Sequence, residues 1–209
     1  MPIVTSIVKK RGRAAGCIVM LDGGETFECS TDLIVKYNVS KKQDISEETV
    51  ASIARDQRVM SAKQLAHNFV AFKPRTSAQV RKKLIEKDFL PDEADEAVEF
   101  LKEFKYINDT AYARSFISDL LKRKSMGKSR IVAELKKRGI PSEDIKTAVA
   151  EVFPEDDAQT MARDAATKKL RTVRHKTVDK QRSAIVSFLA QQGFAWDIIR
   201  KVVEELKLN

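Results

Sequence analysis

Apolar positions in this chain follow two rules, and the change from one to the other divides it. Over the first thirty residues the apolar side chains are β-branched or alternate with polar ones. Ile3, Val4, Ile7 and Val8 form one run and Cys17-Ile18-Val19-Met20-Leu21 a second; Thr26-Phe27-Glu28-Cys29 alternates after the turn signal Asp22-Gly23-Gly24. The pattern predicts a two- or three-stranded antiparallel sheet, too small to stand alone. A short helix over residues 31–37 is placed to cover it, with Asn38 as a left-handed stop. From Ser46 onward the spacing is helical. Ser46 can cap a helix whose first turn carries Glu47 and Glu48, which suit the positive end of the helix dipole.

The helical part repeats itself. When Leu84, Leu135 and Leu189 are set in register, Val80, Ile131 and Ile185 stand four residues earlier. Phe89, Ile140 and Phe194 follow the leucines, then Ala94, Ile145 and Ile199, then Val98, Val149 and Val203, then Leu101, Val152 and Leu206. Six positions are apolar in all three copies without a gap, which marks a repeated structural unit. The leucines lie 51 and 54 residues apart, leaving room for a further helix before each pair, at 62–72, 110–123 and 157–170. Between the paired helices, Gly139 and Gly193 stand where a chain must turn left-handed, and Asp88 stands there in the first copy. Pro91 and Pro141 fit the first turn of the helix that follows. The expected fold is mainly α. Tandem three-helix repeats, three copies at 59–107, 108–153 and 154–209, form an elongated curved array behind a β-rich N-terminal extension with short helices at 1–58.

Charge adds a partner class. Charged residues make up 33% of the 209, and the net charge is +9. A basic balance points to a polyanion, most often nucleic acid. The charge is uneven: residues 73–87, 122–138 and 168–182 carry +5, +7 and +6, so the rest of the chain is −9. The second helix of each repeat, with the loop before it, is the basic element. Val80 and Leu84 face inward while Lys82 points away; Ile131 and Leu135 face inward while Arg130 and Lys137 point away. The last helix of copy one is acidic, with Asp92, Glu93, Asp95, Glu96, Glu99 and Glu103 against Lys102. Two readings stay open: a solvated face balanced by that acid, or a basic stripe along a phosphate backbone or an acidic protein groove.

Catalytic chemistry finds no foothold. Cys17 and Cys29 lack zinc spacing and read as small buried thiols of a cytoplasmic protein. Gly127-Lys128-Ser129 ends like a phosphate-binding loop, but Lys122 stands where that motif needs its first glycine. His67 and His175 belong to no nucleophile–base pattern, and no cofactor or metal is expected. Trp196, Tyr106 and Tyr112 read as packing residues. No apolar run approaches the ~20 residues of a membrane-spanning helix, no signal peptide is seen, and no dimerisation segment is evident, so a monomer is expected.

Several blocks resemble a known family. Lys73-Pro74-Arg75-Thr76 with Val80-Arg81-Lys82-Lys83-Leu84 and Phe89 is similar to the first repeat of RecX proteins. Tyr106-Ile107-Asn108-Asp109 with Tyr112-Ala113-Arg114-Ser115-Phe116 resembles that family's most distinctive block. Gly127-Lys128-Ser129-Arg130-Ile131, Glu134-Leu135 and Arg138-Gly139-Ile140 resemble its second repeat, and Gln192-Gly193-Phe194 with Ile199 and Val203 its third. The resemblance spans residues 60–206. It implies a non-enzymatic modulator of the RecA recombinase in DNA repair and the SOS response. Such a protein lies in the groove of the RecA–single-stranded DNA filament and hinders filament extension, ATP hydrolysis and strand exchange. Carried over residue by residue, the contacts would be Arg75, Arg81, Lys82, Arg114, Lys128 and Arg130. Charge alone adds Lys83, Lys122, Arg123, Lys136, Lys137, Lys168, Lys169, Arg171 and Arg174. Binding to bare single-stranded DNA would be weak or filament-dependent. The other reading is a sequence-independent nucleic-acid-binding module that acts without RecA.

Overall fold

The β-branched runs pair as their alternation predicts. In the computed structural model, which describes residues 1–10 and 16–208, β1 (Val4–Lys9), β2 (Cys17–Leu21) and β3 (Thr26–Cys29) form one antiparallel sheet in chain order. Cys17 is the cross-strand partner of Cys29, and both are free, buried thiols. Helix α1 (Thr31–Lys36) is capped by the Ser30 hydroxyl, which accepts from the Leu33 N–H, and the chain leaves it through Asn38 at φ 49°. Val4, Val19, Leu21, Leu33 and Ile53 bury together, so the sheet is covered by α1 and by the start of the long helix α2 (Glu47–Ala71). Ser46 caps α2 through the Thr49 N–H. Helix α2 runs unbroken past residue 58, where the sequence places the end of the N-terminal extension.

The remaining helices are α3 (Ser77–Ile85), α4 (Pro91–Glu103), α5 (Asp109–Arg123), α6 (Lys128–Lys137), α7 (Ser142–Val152), α8 (Ala158–Val173), α9 (Val178–Gln191) and α10 (Trp196–Glu205). The chain forms two units, Met1–Lys73 with Val80–Tyr106, and Pro74–Gln79 with Ile107–Asn209. In the first, α4 packs along α2, and an ion pair staples them. Arg58 donates to Glu93 through Nε (2.6 Å) and Nη2 (2.9 Å), and to the Asp88 carbonyl (2.8 Å). Glu93 is 1% exposed and also accepts the Leu90 N–H at the start of α4. The Arg58 guanidinium first, then the Leu90 N–H, hold the Glu93 carboxyl below its ordinary range, while burial pulls the other way.

In the second unit two cores form, one around Ile117, Ile131, Leu135 and Val149, the other around Ala162, Ile185, Leu189 and Ile199, with Ile198 packed against both. The left-handed turns stand where the sequence puts them, at Gly139 (φ 74°) and Gly193 (φ 83°); in the first unit Asp88 takes φ 63°. The turn at Gly193 also receives the start of α6. The Gly127 N–H donates to the Gln192 carbonyl at 2.9 Å, and the Ser129 N–H to the Gly193 carbonyl at 3.3 Å. The same joint occurs with the segment Pro74–Gln79, where the Thr76 hydroxyl donates to the Arg138 carbonyl at 2.9 Å. Among the described residues no helix is long and apolar enough to cross a membrane.

This packing can be tested at two positions. Arg58→Ala leaves a buried carboxylate without its partner and is expected to cost about 3 kcal/mol, the low end for a broken buried pair because Arg58 is half exposed. Because the folded Glu93 carboxyl titrates below its unfolded value of about 4.3, the pair stabilises above that pH and fades as pH falls through the folded value. The urea-unfolding gap between wild type and R58A therefore narrows on acidification. Gly127 has an ordinary φ of −78°, but an added Cβ would stand 2.1 Å from the Gly193 carbonyl oxygen. Gly127→Ala must open the joint, so hydrogen exchange at the Gly127 and Ser129 amides is expected to rise, with a loss of stability of about 2 kcal/mol or more.

Candidate nucleic-acid and partner interface

A helical wheel shows which cations face outward; the carboxylates of neighbouring helices decide which stay available. In the first unit they are largely taken. Arg81 on α3 donates to Asp95 on α4, Nε to Oδ1 at 2.5 Å, which raises the guanidinium's affinity for its proton and lowers that of the carboxyl. Lys82 lies 3.9 Å from Glu86. From α2, Arg55 reaches Asp92 at 3.3 Å and Lys63 reaches Glu96 at 2.8 Å. The acidic face of α4 thus works as a pairing surface for its own unit. Lys83 is half-buried on α3, and Arg75 is half-buried in the segment that belongs to the second unit.

The second unit divides its cations differently. Arg114 pairs with Glu151 across α5 and α7, Nη2 to Oε1 at 3.0 Å. Lys137 lies 3.4 Å from Glu134, and half-buried Arg130 donates to the Gln191 carbonyl at 3.1 Å, reinforcing the joint at Gly193. Lys128 and Lys136 are exposed on α6. Arg123, Lys124, Lys168, Arg171 and Arg174 have no carboxylate partner among the described residues.

Four of the expected residues converge. Lys122 and Arg123 at the end of α5, with Lys124 beyond it, face Lys168 and Lys169 on α8 across a groove of about 560 Å³. Phe188 and Gln192 complete the wall, and among the described residues no carboxylate lines it, although Asp119 lies 4.0 Å from Lys122. Each feature has a local cause. Cations are favoured at the C-terminal end of α5, where the helix dipole is negative. Met126, buried just beyond the rim, anchors the loop, and the bond from Gly127 to the Gln192 carbonyl ties that loop to the end of α9. Lys169 sits 5.8 Å from the centre of the Phe188 ring. Five cations around one open groove create a positive potential that an anion relieves, and an aromatic face among cations is the composition of a single-strand site.

Sequence reasoning missed Phe188, although a signal exists. It precedes Leu189 in the repeat register, where the other copies carry Lys83 and Glu134, so an aromatic there departs from the repeat; it is half-buried, with part of the ring packed against the third-repeat core. Trp196 differs from its expected packing role: it is 66% exposed, because α10 directs Ile199, Val202 and Val203 inward and leaves its first residue at the rim. Tyr106 is 49% exposed and takes the edge of His67 at 4.7 Å, while Tyr112 packs against the core of the first helices of the second unit. Among the described residues no group of histidine, cysteine and carboxylate side chains is arranged to hold a metal ion.

Comparison with known proteins matches each repeat separately. The first, second and third three-helix domains of RecX match residues 62–101, 108–149 and 155–203. The regulatory protein RecX of Leuconostoc mesenteroides subsp. mesenteroides is 30% identical over 201 residues, covering 96% of this chain and 74% of that one. Its counterpart in Clostridium perfringens is 29% identical over 208 residues, covering 99% and 97%. A crystal structure of regulatory protein RecX superposes with a TM-score of 0.80 at 20% identity, covering 98% of this chain and all of the other. RecX from Lactobacillus salivarius gives 0.64 at 24% identity over 73% of this chain and 98% of its own, so both share the fold. With all three of its helical domains matched in order and a relative at 30% identity along nearly its whole length, this chain belongs to the RecX family of regulatory proteins.

Proposed function

We propose that this chain is a negative modulator of the RecA recombinase in DNA repair. It binds the RecA–single-stranded DNA filament and limits filament extension, ATP hydrolysis and strand exchange, acting by occupancy rather than by chemistry. Membership of a family of regulatory proteins supports a regulatory role. The observation that carries the reading further is the cationic groove of the second unit, where Arg123, Lys124 and Lys168 have no carboxylate partner among the described residues. A filament on single-stranded DNA offers both phosphates and protein carboxylates along its groove, and such a surface matches either. Arg81 is a poor contact on this reading, because a phosphate would have to displace Asp95 first.

The direct test is the DNA-dependent ATPase of the matching RecA with this protein titrated in below stoichiometry. Inhibition at a small fraction of RecA, unaffected by excess single-stranded DNA, is the expected result. Inhibition that vanishes with excess DNA would favour a plain nucleic-acid-binding module, since that protein would only mask DNA. Separately, the double variant Lys124→Glu with Lys168→Glu is expected to weaken binding to bare single-stranded DNA and to flatten its salt dependence by about 0.7 for each phosphate it no longer neutralises. Arg81→Ala should shift that affinity by less than about twofold, since an exposed ion pair contributes little and its cation is already engaged. Fluorescence anisotropy over a salt series reads both.

A further inference from the structure

The three repeats differ in the furrow between their second and third helices. In the second repeat Lys128, Val132 and Lys136 form one stripe of α6, and Ile145, Lys146 and Val149 lie opposite on α7, around a groove of about 350 Å³. A shift of 54 residues gives the third repeat, where Arg182 and Val186 on α9 face Ile199, Arg200 and Val203 on α10 around about 730 Å³. The aliphatic positions recur, and so do two of the cations. A shift back of 51 residues gives the first repeat, and there Val132 becomes Arg81 and Lys146 becomes Asp95. Those two side chains bond across the furrow at 2.5 Å. The fold therefore has a way of bridging this furrow with its own ion pair, and the second repeat does not use it.

We propose that the α6–α7 groove of the second repeat is a docking site for an acidic segment of a protein partner that inserts an aliphatic side chain. It rests on the reading above in taking that partner to be the protein wall of the filament. The chemistry separates this site from the α5–α8 groove. Its floor is the half-buried Val132, backed by Ile145 and Val149 at 3% exposure each, an aliphatic surface that among the described residues has no ring for a base to stack on. Its rim carries Lys128, Lys136 and Lys146, and neither Lys136 nor Lys146 has a carboxylate partner among the described residues. A phosphodiester strand would use the rim and leave the floor wet. A peptide with leucine on one face and glutamate beside it uses both. The third-repeat groove repeats the aliphatic positions, but the exposed Trp196 joins its lining and Asp179 and Glu204 offset Arg182 and Arg200, so the acidic segment is directed to the second repeat.

The test transplants the first repeat's ion pair: Val132→Arg with Lys146→Asp in the full-length chain. The probe is a synthetic amphipathic helical peptide with leucine on one face and glutamate on the other. It is followed by amide shifts in the isotope-labelled protein. Wild type should show shifts at Val132, Ile145 and Val149, and the double variant should bind the peptide about tenfold more weakly while keeping its affinity for single-stranded DNA. Lys136→Glu with Lys146→Glu, which alters exposed positions only, should lose the peptide equally and covers the case in which the buried-edge variant misfolds. Absence of peptide shifts in wild type, retention of binding in both variants, or shifts at these residues from single-stranded DNA in place of the peptide would overturn the assignment. If the peptide binds but the recombinase is not inhibited, the site stands and the filament reading fails; if inhibition persists without peptide binding, the reverse holds.

Discussion

Arg81 and Asp95 face each other across the α3–α4 hairpin at 2.5 Å, and pairing of this kind engages the cations of the first unit. A helix of the repeat must bury its apolar stripe, so every charge goes to the remaining faces, where it meets either solvent or the next helix. In the first unit the next helix is α4, whose carboxylates engage Arg55, Arg58, Lys63 and Arg81. The corresponding helices of the second unit carry fewer acids, and besides the pairs of Arg114 and Lys137 several of its cations act outward. A net charge of +9 spread over three similar repeats thus resolves into a self-neutralised first unit and a second unit that concentrates available positive charge.

Available charge becomes a shaped site through the joint at Gly193. The start of α6 approaches so closely that a Cβ on either Gly127 or Gly193 would fall within about 2.3 Å of the other segment's backbone. That approach fixes the loop holding Lys124 and Ser125 against Gln192 at the end of α9, and so defines one wall of the α5–α8 groove relative to the other. On α6 itself, the stripe Lys128, Val132 and Lys136 turns to the separate furrow with α7. One joint thus positions a groove with an aromatic wall, while α6 also borders a furrow of aliphatic character; on the proposed reading the first faces nucleotides and the second a carboxylate-bearing protein segment.

Most of the fold was legible in the sequence. Positions four residues before, at and ten and fourteen residues after the aligned leucines are buried in all three repeats. The partial exceptions, Phe89, Val152 and Leu206, are half-buried, and Phe89 lies beneath the Arg58 guanidinium. Periodicity reads such burial well because it is a local property of one helix. The long helix α2 was harder, since its polar and apolar positions are mixed and its partners, the sheet and α4, lie far away in sequence. The site was only partly legible for the same reason. A count of basic residues identifies a charged segment but says nothing about a carboxylate 14 residues on, as for Arg81, or 37 residues on, as for Arg114. Trp196 was read as a packing residue because rings in helices usually are, and the repeat register alone did not single out Phe188.

The asymmetry between the units can be read in one experiment, hydrogen–deuterium exchange of the full chain with and without the RecA filament on single-stranded DNA. Protection should concentrate at Lys122–Ser125, Lys168–Lys169, Phe188–Gln192 and the α6–α7 furrow, while α3 from Val80 onward and α4 exchange as in the free protein. Protection centred on Arg81 and α4, or no protection in the second unit, would contradict the assignment of the binding surface to the unpaired cations.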